Sequence, residues 1–474
     1  MLEMPGCKVA PLGVVAQWTI DESGNQQPKP KLRLTHDQSF NPKRGERRSV
    51  SDCVVTLELT PARFGRALMR LLHYICLLRR RFSGERLLLT KVDCELAYRR
   101  IHLQATTAMK ACTVFAGLLL VALGLAFGGA PSENPSQWTD VSEVAVDLAN
   151  DLVRRDDWDP TLWSAPQQQL LTSAKAVDCD AGVVKDNDDF GEAAEMSVVY
   201  PVEDAKPMFD CYLDDLFGVS RAADRARLEA VLPFVLHLIG RPVEAGTTES
   251  FPRDSQIAVS KFLTEAKASE AKVILGWVVN TRSMTVSLPS DKHRAWTEEI
   301  QVLRTRPGRR ATAKELESTI GRLSHAAHVI PNLRHFLGRL YRAGERAKVH
   351  GLVKLTKSQW DDLGLWREFL DSALRGVSIN RLVVRWPNRI VRVDACPQGM
   401  GGYGLQSGVA WRIQLELDLI GWGSLNSLEF LAALIGLLVG RQRTWRGLRS
   451  RRRVALSRGQ FVGCGMASKV KLRQ

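Results

Sequence analysis

Apolar positions along the chain follow two rhythms, and each rhythm predicts elements. Helical spacing runs through 61–82 (PARFGRALMRLLHYICLLRRRF), where Leu and Ile share one face and Arg the other. It recurs at 135–155, in ADRARLEAVLPFVLHLIG, across most of 292–375, and from Ser427 to Val439. Strand patterning marks LLLTKVDCELAYRRIHL, RLVVRW and RIVRVDACPQGMGGYGL. MFDCYLDDLFGV and VILGWVVNTRSMTVSLP each read as a β-hairpin, and QQPKPKLRLTHD is a third candidate. Residues 156–206 are acid-rich and without period, which predicts an inserted surface loop. The elements together predict an α+β protein.

Residues 111–130 (ACTVFAGLLLVALGLAFGGA) carry no charge and are long enough to cross a bilayer. Gly117, Gly124, Gly128, Gly129 and Pro131 argue against a membrane helix and for a strand, a glycine turn and a buried helix start. The N-terminal MLEMPGCKVAPLG has no basic region ahead of a long apolar core, so no secretory signal is expected. Nine scattered Cys form neither a disulfide framework nor a paired zinc pattern, which favours an intracellular, reducing setting. Net charge is +15 over 474 residues, and a surplus of that size points to a polyanionic partner, nucleic acid first.

Candidate chemistry lies in the acids. Asp214 and Asp215 stand between apolar runs in YLDDLFGV, where adjacent carboxylates repel and resist desolvation. A divalent cation relieves that cost, since Mg²⁺ favours carboxylate and phosphate oxygens. An exposed turn with two solvated acids is the alternative reading. Asp93 also ends an apolar strand, so acids from two distant strands are candidates to converge on a metal pair.

These residues carry a resemblance. KVDCELAYRRIHL resembles motif A of reverse transcriptases, and FDCYLDDLFGV resembles their Y-x-D-D motif C. Between them LGLAFGGAPSENPSQW is similar to motif B. PKLRLTHDQSFN upstream resembles the fingers motif, and VILGWVVN downstream the segment before the primer grip. THDQSF, FGGAP and ILGW together are most similar to retroelements of the tyrosine-recombinase, DIRS type. The resemblance implies a right-hand polymerase of fingers, palm and thumb, with fingers and palm in 1–290 and a helical thumb and connection in 291–385. It implies an RNA-directed DNA polymerase acting on an RNA template, a DNA or RNA primer and dNTPs, away from membranes. Asp93, Asp214 and Asp215 would hold two Mg²⁺ ions, with Mn²⁺ as a substitute. Arg33 would contact the triphosphate, and Tyr98 would exclude a ribose 2′-hydroxyl. Phe127 and Gly128 would line the nucleotide. A degenerate retroelement protein that binds nucleic acid without polymerising is the alternative.

Further along, Asp394 ends a strand before a glycine-rich turn, and Glu429 lies near the start of an apolar helix. This pair resembles ribonuclease H and implies a partial α/β domain of that kind at 386–440. Arg fills seven of the thirteen positions 441–453, and no acid follows Glu429. The tail is therefore expected to be out of frame and to pack poorly on the preceding sheet. Permitted codons for Gly459 onward, read one nucleotide later, restore an Asp-Asn pair. His325, His328 and His335 lack Cys or acid partners at ligand spacing and read as helix-face residues.

Overall fold

The computed structural model describes residues 12–17, 31–36, 66–95, 97–109, 112–125, 136–159, 171–174, 205–240, 256–384, 389–405, 407–415, 424–442 and 454–458. It divides into two compact units between Val383 and Val384, against the 385/386 border expected from the sequence.

The first unit opens with β1 (Leu12–Gln17) and β2 (Lys31–His36), paired antiparallel. The hairpin expected inside QQPKPKLRLTHD is thus replaced by pairing of KLRLTH with a strand upstream. Pro28 and Pro30 have no amide hydrogen to give a ladder, which leaves only the downstream half free to pair. Helix α1 (Ala67–Arg81) buries Leu71, Leu72, Tyr74, Ile75 and Leu78 completely, and Arg79–Arg81 complement the negative end of its dipole. Strand β3 (Leu87–Asp93) follows.

Within the uncharged run 111–130, β4 (Cys112–Phe115) and β5 (Leu118–Val121) form the expected strand and turn as a hairpin, and the residues where a helix start was expected, from 126 on, lie outside the described residues. Ala116 and Gly117 both have positive φ (49° and 77°), the two-residue turn that folds an apolar run back on itself. The next described helix, α2, spans Ser136–Leu152. No helix among the described residues is long and apolar enough to cross a membrane.

Strands β6 (Met208–Tyr212) and β7 (Asp215–Arg221) join β3 in an antiparallel sheet of order β3-β7-β6. In the middle strand, Leu216 to Ser220 are buried without a break, because helices cover both faces. One face presents Leu88, Val92, Phe209, Cys211 and Leu216. These form a single core with Ala145 and Ala149 of α2 and with Leu228, Val231, Leu232 and Val235 of α3 (Arg225–Gly240). The period of two places Leu87, Leu89, Lys91 and Asp93 on the opposite face, beside Phe217 and Asp215 of β7. There Arg70 of α1 makes a two-pronged ion pair with the buried Asp210 at 2.6 and 2.7 Å.

Helix α4 (Val259–Glu265) lies against β3. Beyond it, β8 (Ala271–Ile274), β9 (Trp277–Asn280) and β10 (Thr285–Ser287) form a meander. Then come α5 (Ser290–Thr305), β11 (Arg310–Thr312), α6 (Ala313–Val329), α7 (Leu337–His350), β12 (Leu352–Lys354) and α8 (Lys357–Arg375). Both α6 and α8 start with complete capping boxes, Thr312 with Glu315 and Thr356 with Gln359. After β13 (Val377–Ser378), which completes the meander's sheet, Ile379–Leu382 is a helical turn that takes in the first two residues of RLVVRW, whose last two lie outside the described residues. Its Ile379 and Leu382 are buried, and the turn packs on α1.

In the second unit, β14 (Arg389–Cys396), β15 (Gly399–Gly404) and β16 (Ala410–Gln414) form an antiparallel meander. Helix α9 (Leu425–Gln442) packs on β14 and β15 and leads to β17 (Val454–Arg458). That last strand runs parallel to β14, with Arg389 opposite Val454 and Val393 opposite Arg458. The expectation that the chain packs poorly from 441 onward is therefore corrected for 454–458. VALSR opens with three apolar residues and adds its backbone to the free edge of β14. Residues 459–474 lie outside the described residues.

Candidate active site

A three-stranded sheet brings the acids of two distant segments together. The β3–β7 register sets Asp93 directly opposite Asp215. Directly opposed side chains have Cβ atoms about 4.5–5.5 Å apart. Asp214 occupies the two-residue turn between β6 and β7, and its carbonyl accepts the Cys94 amide at 3.3 Å. Leu213, the other turn residue, has φ 57°, a left-handed conformation that an L side chain adopts only at a cost. Ser142 of α2 donates to the Leu213 carbonyl at 2.7 Å and fixes the turn from the neighbouring helix. Asn150, two turns along α2, donates to the Phe209 carbonyl at 3.0 Å and accepts the Phe209 amide at 2.9 Å. One side chain thus satisfies the open edge of β6.

Two lysines complete the charge pattern. Lys91 lies two residues before Asp93 and therefore on the same face of β3. Its Nζ is 3.2 Å from Asp93 Oδ1, 3.2 Å from Asp215 Oδ1 and 3.8 Å from Glu265 Oε2. The second, Lys261 on α4, donates to Asp93 Oδ2. It is positioned by backbone contacts, since the Ala258 amide donates to the Asp93 carbonyl at 3.1 Å and seats the start of α4 on the end of β3.

Burial and charge act against each other throughout this cluster. Burial disfavours the Lys91 ammonium, but Asp215 and Asp93 hold it charged above its ordinary range. Burial also opposes ionisation of Asp93, and the hydrogen bond from Lys261 with the charge of Lys91 keeps it below the usual carboxylate range. Asp215 goes the other way: burial, with Asp93 beside it, pushes it up to about 6 despite Lys91. Tyr98, on a 3₁₀ turn (Ala97–Arg100) after β3, is half-buried against the core. Burial and the charge of Asp214 push its phenol up to about 12. The phenol is therefore neutral and lies within the field of the turn carboxylate.

The donor chemistry fits a hard divalent cation. The carboxylates of Asp93 and Asp215 face each other across the strands and share the Lys91 ammonium at 3.2 Å, an oxygen pair that already holds a positive charge. Among the described residues, however, no group of three or more His, Cys, Asp or Glu side chains is arranged as a ready metal cage. The ammonium groups of Lys91 and Lys261 stand among the oxygens instead.

The other expected residues fall elsewhere. Arg33 is on β2, opposite Val15, and its side chain lies outside the described residues, as do Phe127 and Gly128 entirely. In the second unit, Asp394 is exposed on β14 opposite Gly401, and Glu429 is half-buried in the first turns of α9. A cavity of about 430 Å³ opens beside Asp394, lined also by Arg392, Cys396, Tyr403, Trp411 and Arg412. His325 is packed between Trp277 and Trp296, with ring centroids 5.2 and 5.9 Å away, and His335 stacks on Phe336.

Sequence reasoning passed over Lys91, Lys261, Ser142 and Asn150. The i, i+2 spacing of Lys91 and Asp93 on a strand was a usable signal. Nothing local marks the other three, which reach the site only through packing of α2 and α4.

No family model matches the sequence, and no curated protein matches it. Among solved structures, the chain is similar to a foamy viral protease-reverse transcriptase in complex with an RNA/DNA hybrid, at 12% identity and a TM-score of 0.43, over 98% of this chain and 53% of that one. It is also similar to that enzyme's dRH form with double-stranded DNA, at 12% identity and 0.42, over 95% and 67% of the two chains. A third likeness, again in complex with double-stranded DNA, has 13% identity and a TM-score of 0.40, over 95% and 80%. The chain thus spans about half the length of the first of these three proteins.

Proposed function

We propose that the first unit is an RNA-directed DNA polymerase of the reverse-transcriptase kind, and that β3, β6 and β7 form its palm. The observation that carries this reading is the cross-strand pair Asp93–Asp215 with Asp214 at the adjoining turn. Three carboxylates on two strand ends and a turn are the donor set that nucleotidyl transfer requires. Asp93, Asp214 and Asp215 would hold Mg²⁺ or Mn²⁺. When bound, such ions lower the pKa of a primer 3′-hydroxyl and neutralise charge on the departing pyrophosphate. Tyr98, close enough to Asp214 to feel its charge, would press against the sugar of a deoxynucleotide and exclude the 2′-hydroxyl. Arg33 on the β1–β2 ribbon is assigned to the triphosphate, and Phe127 and Gly128 to the nucleotide's other side. The helices α5 to α8 would serve as thumb and connection.

The second unit is assigned as a ribonuclease H-like module that lacks activity. Asp394 and Glu429 supply two acids, and the strand parallel to β14 ends in Arg458, with no acid after Glu429. A retroelement origin of the DIRS type rests on the motif resemblance alone.

Primer extension on an RNA template with dNTPs tests the reading, with Asp214→Asn as control. Extension that is lost in Asp214→Asn is the expected outcome. Tight binding of primer–template with no extension by the unmodified chain would instead mark a degenerate, non-polymerising protein.

A further inference from the structure

Resting on the polymerase reading, we propose that Lys91 and Lys261 are built-in counter-ions of the metal carboxylates, which a divalent cation must displace. They thereby set how tightly the site takes metal. The placement follows from the chain. A lysine two residues before a strand-end aspartate must share its face, and antiparallel pairing then brings Asp215 beside both. The Lys91 ammonium sits equally far, 3.2 Å, from a carboxylate oxygen of each aspartate, and its side chain is only 13% exposed. Lys261 closes Asp93 from the other side, on a helix whose start is hydrogen-bonded to the Asp93 carbonyl.

Two carboxylates facing each other across strands repel, and burial deepens the penalty. The lysines remove that repulsion before any metal is present. A doubly charged cation cannot join an ammonium already in contact with the same oxygens without strong like-charge repulsion. The flexible four-carbon stem of lysine allows the ammonium to leave, whereas the aspartates are fixed by the sheet. Asp93 Oδ1, with the Lys91 ammonium at 3.2 Å, and Oδ2, held by Lys261, are the oxygens from which a metal has to displace the lysines.

The experiment uses the full chain, unmodified and as Lys91→Met, Lys261→Met and Asp93→Asn. Mn²⁺ binding is followed by the electron paramagnetic resonance of the free ion, and thermal unfolding is measured in EDTA and in saturating Mn²⁺. Lys91→Met is expected to bind Mn²⁺ about tenfold more tightly, since one like-charge contact is gone. Its Tm should fall below that of the unmodified chain in EDTA, and the gap should close with Mn²⁺. Lys261→Met, at a position 58% exposed, should shift Mn²⁺ binding in the same direction by less, and it carries the test if Lys91→Met does not fold. Equal or weaker Mn²⁺ binding in the lysine variants, with Asp93→Asn abolishing binding by the unmodified chain, overturns this inference and leaves the polymerase reading standing. Absence of any Asp93-dependent Mn²⁺ binding in all of the proteins overturns both.

Discussion

At the scale of single residues, Tyr98 and His325 show how surroundings assign a role to an ordinary side chain. Tyr98 is held on a 3₁₀ turn directly after the Asp93 strand, with its phenol neutral and within the field of Asp214. Tyr98→Val should open room for a 2′-hydroxyl and reduce the preference for dNTP over rNTP by about 10- to 100-fold, read as the ratio of kcat/KM values. Unchanged discrimination in an active variant would remove Tyr98 from the nucleotide site. His325 has a different fate. Burial between two indoles, with Lys292 nearby, pushes it down to about 4, and its Nε2 has no hydrogen-bond partner. Between the ordinary value of 6.5 and that value, the unfolded chain takes up a proton that the folded chain refuses. This contribution to stability is complete above the ordinary value and is lost as pH falls through the window. His325→Phe should flatten the fall in Tm over that range, and an unaltered slope would show that other groups cause it.

At the scale of elements, most strands and helices were legible and their partnerships were not. The apolar runs around Asp214–Asp215 predicted a hairpin because two strands separated by a polar pair have few other solutions. The T-x-x-E and T-x-x-Q starts of α6 and α8 are capping signals readable without a structure. RLVVRW, by contrast, has strand composition, yet its first two residues, Arg381 and Leu382, close a helical turn that packs on α1. The placement of α2 was equally hidden, and so was its use of Asn150 in place of a neighbouring strand. Asn150→Ala leaves the buried amide and carbonyl of Phe209 without partners. It should destabilise the protein by about 2–4 kcal/mol, the cost of two unsatisfied groups. Denaturant unfolding measures this directly, and a loss under about 0.5 kcal/mol would mean that water replaces the side chain at the β6 edge.

At the scale of the whole molecule, the basic charge was visible in composition, and the division near residue 384 followed from the resemblance carried by Asp394 and Glu429. The meeting of Asp93 and Asp215 followed from motif order, whereas the lysines between them emerged only with three-dimensional register. Most of the net charge of +15 falls in residues 384–474, which hold 15 Lys and Arg against 4 acids. If the chain as a whole tracks a duplex by its phosphates, affinity for an RNA–DNA hybrid should fall by about 10³-fold or more between 50 and 200 mM salt, as for six or more neutralised phosphates. Fluorescence anisotropy with a labelled duplex reads that slope, and a flat profile would place the surplus charge away from the nucleic acid.

Strand β17 adds a consequence for biosynthesis. It is the last described element to be made, yet it pairs with β14, whose partner on the other side, β15, follows it within a few residues. On the ribosome, β14 therefore waits with one row of amides and carbonyls unpaired while α9 and the Arg-rich stretch are translated. An open strand edge is a template for pairing with another chain. A stop codon placed anywhere between Gln442 and Val454 should yield a polypeptide that self-associates through β14, even though every residue of the first unit is present.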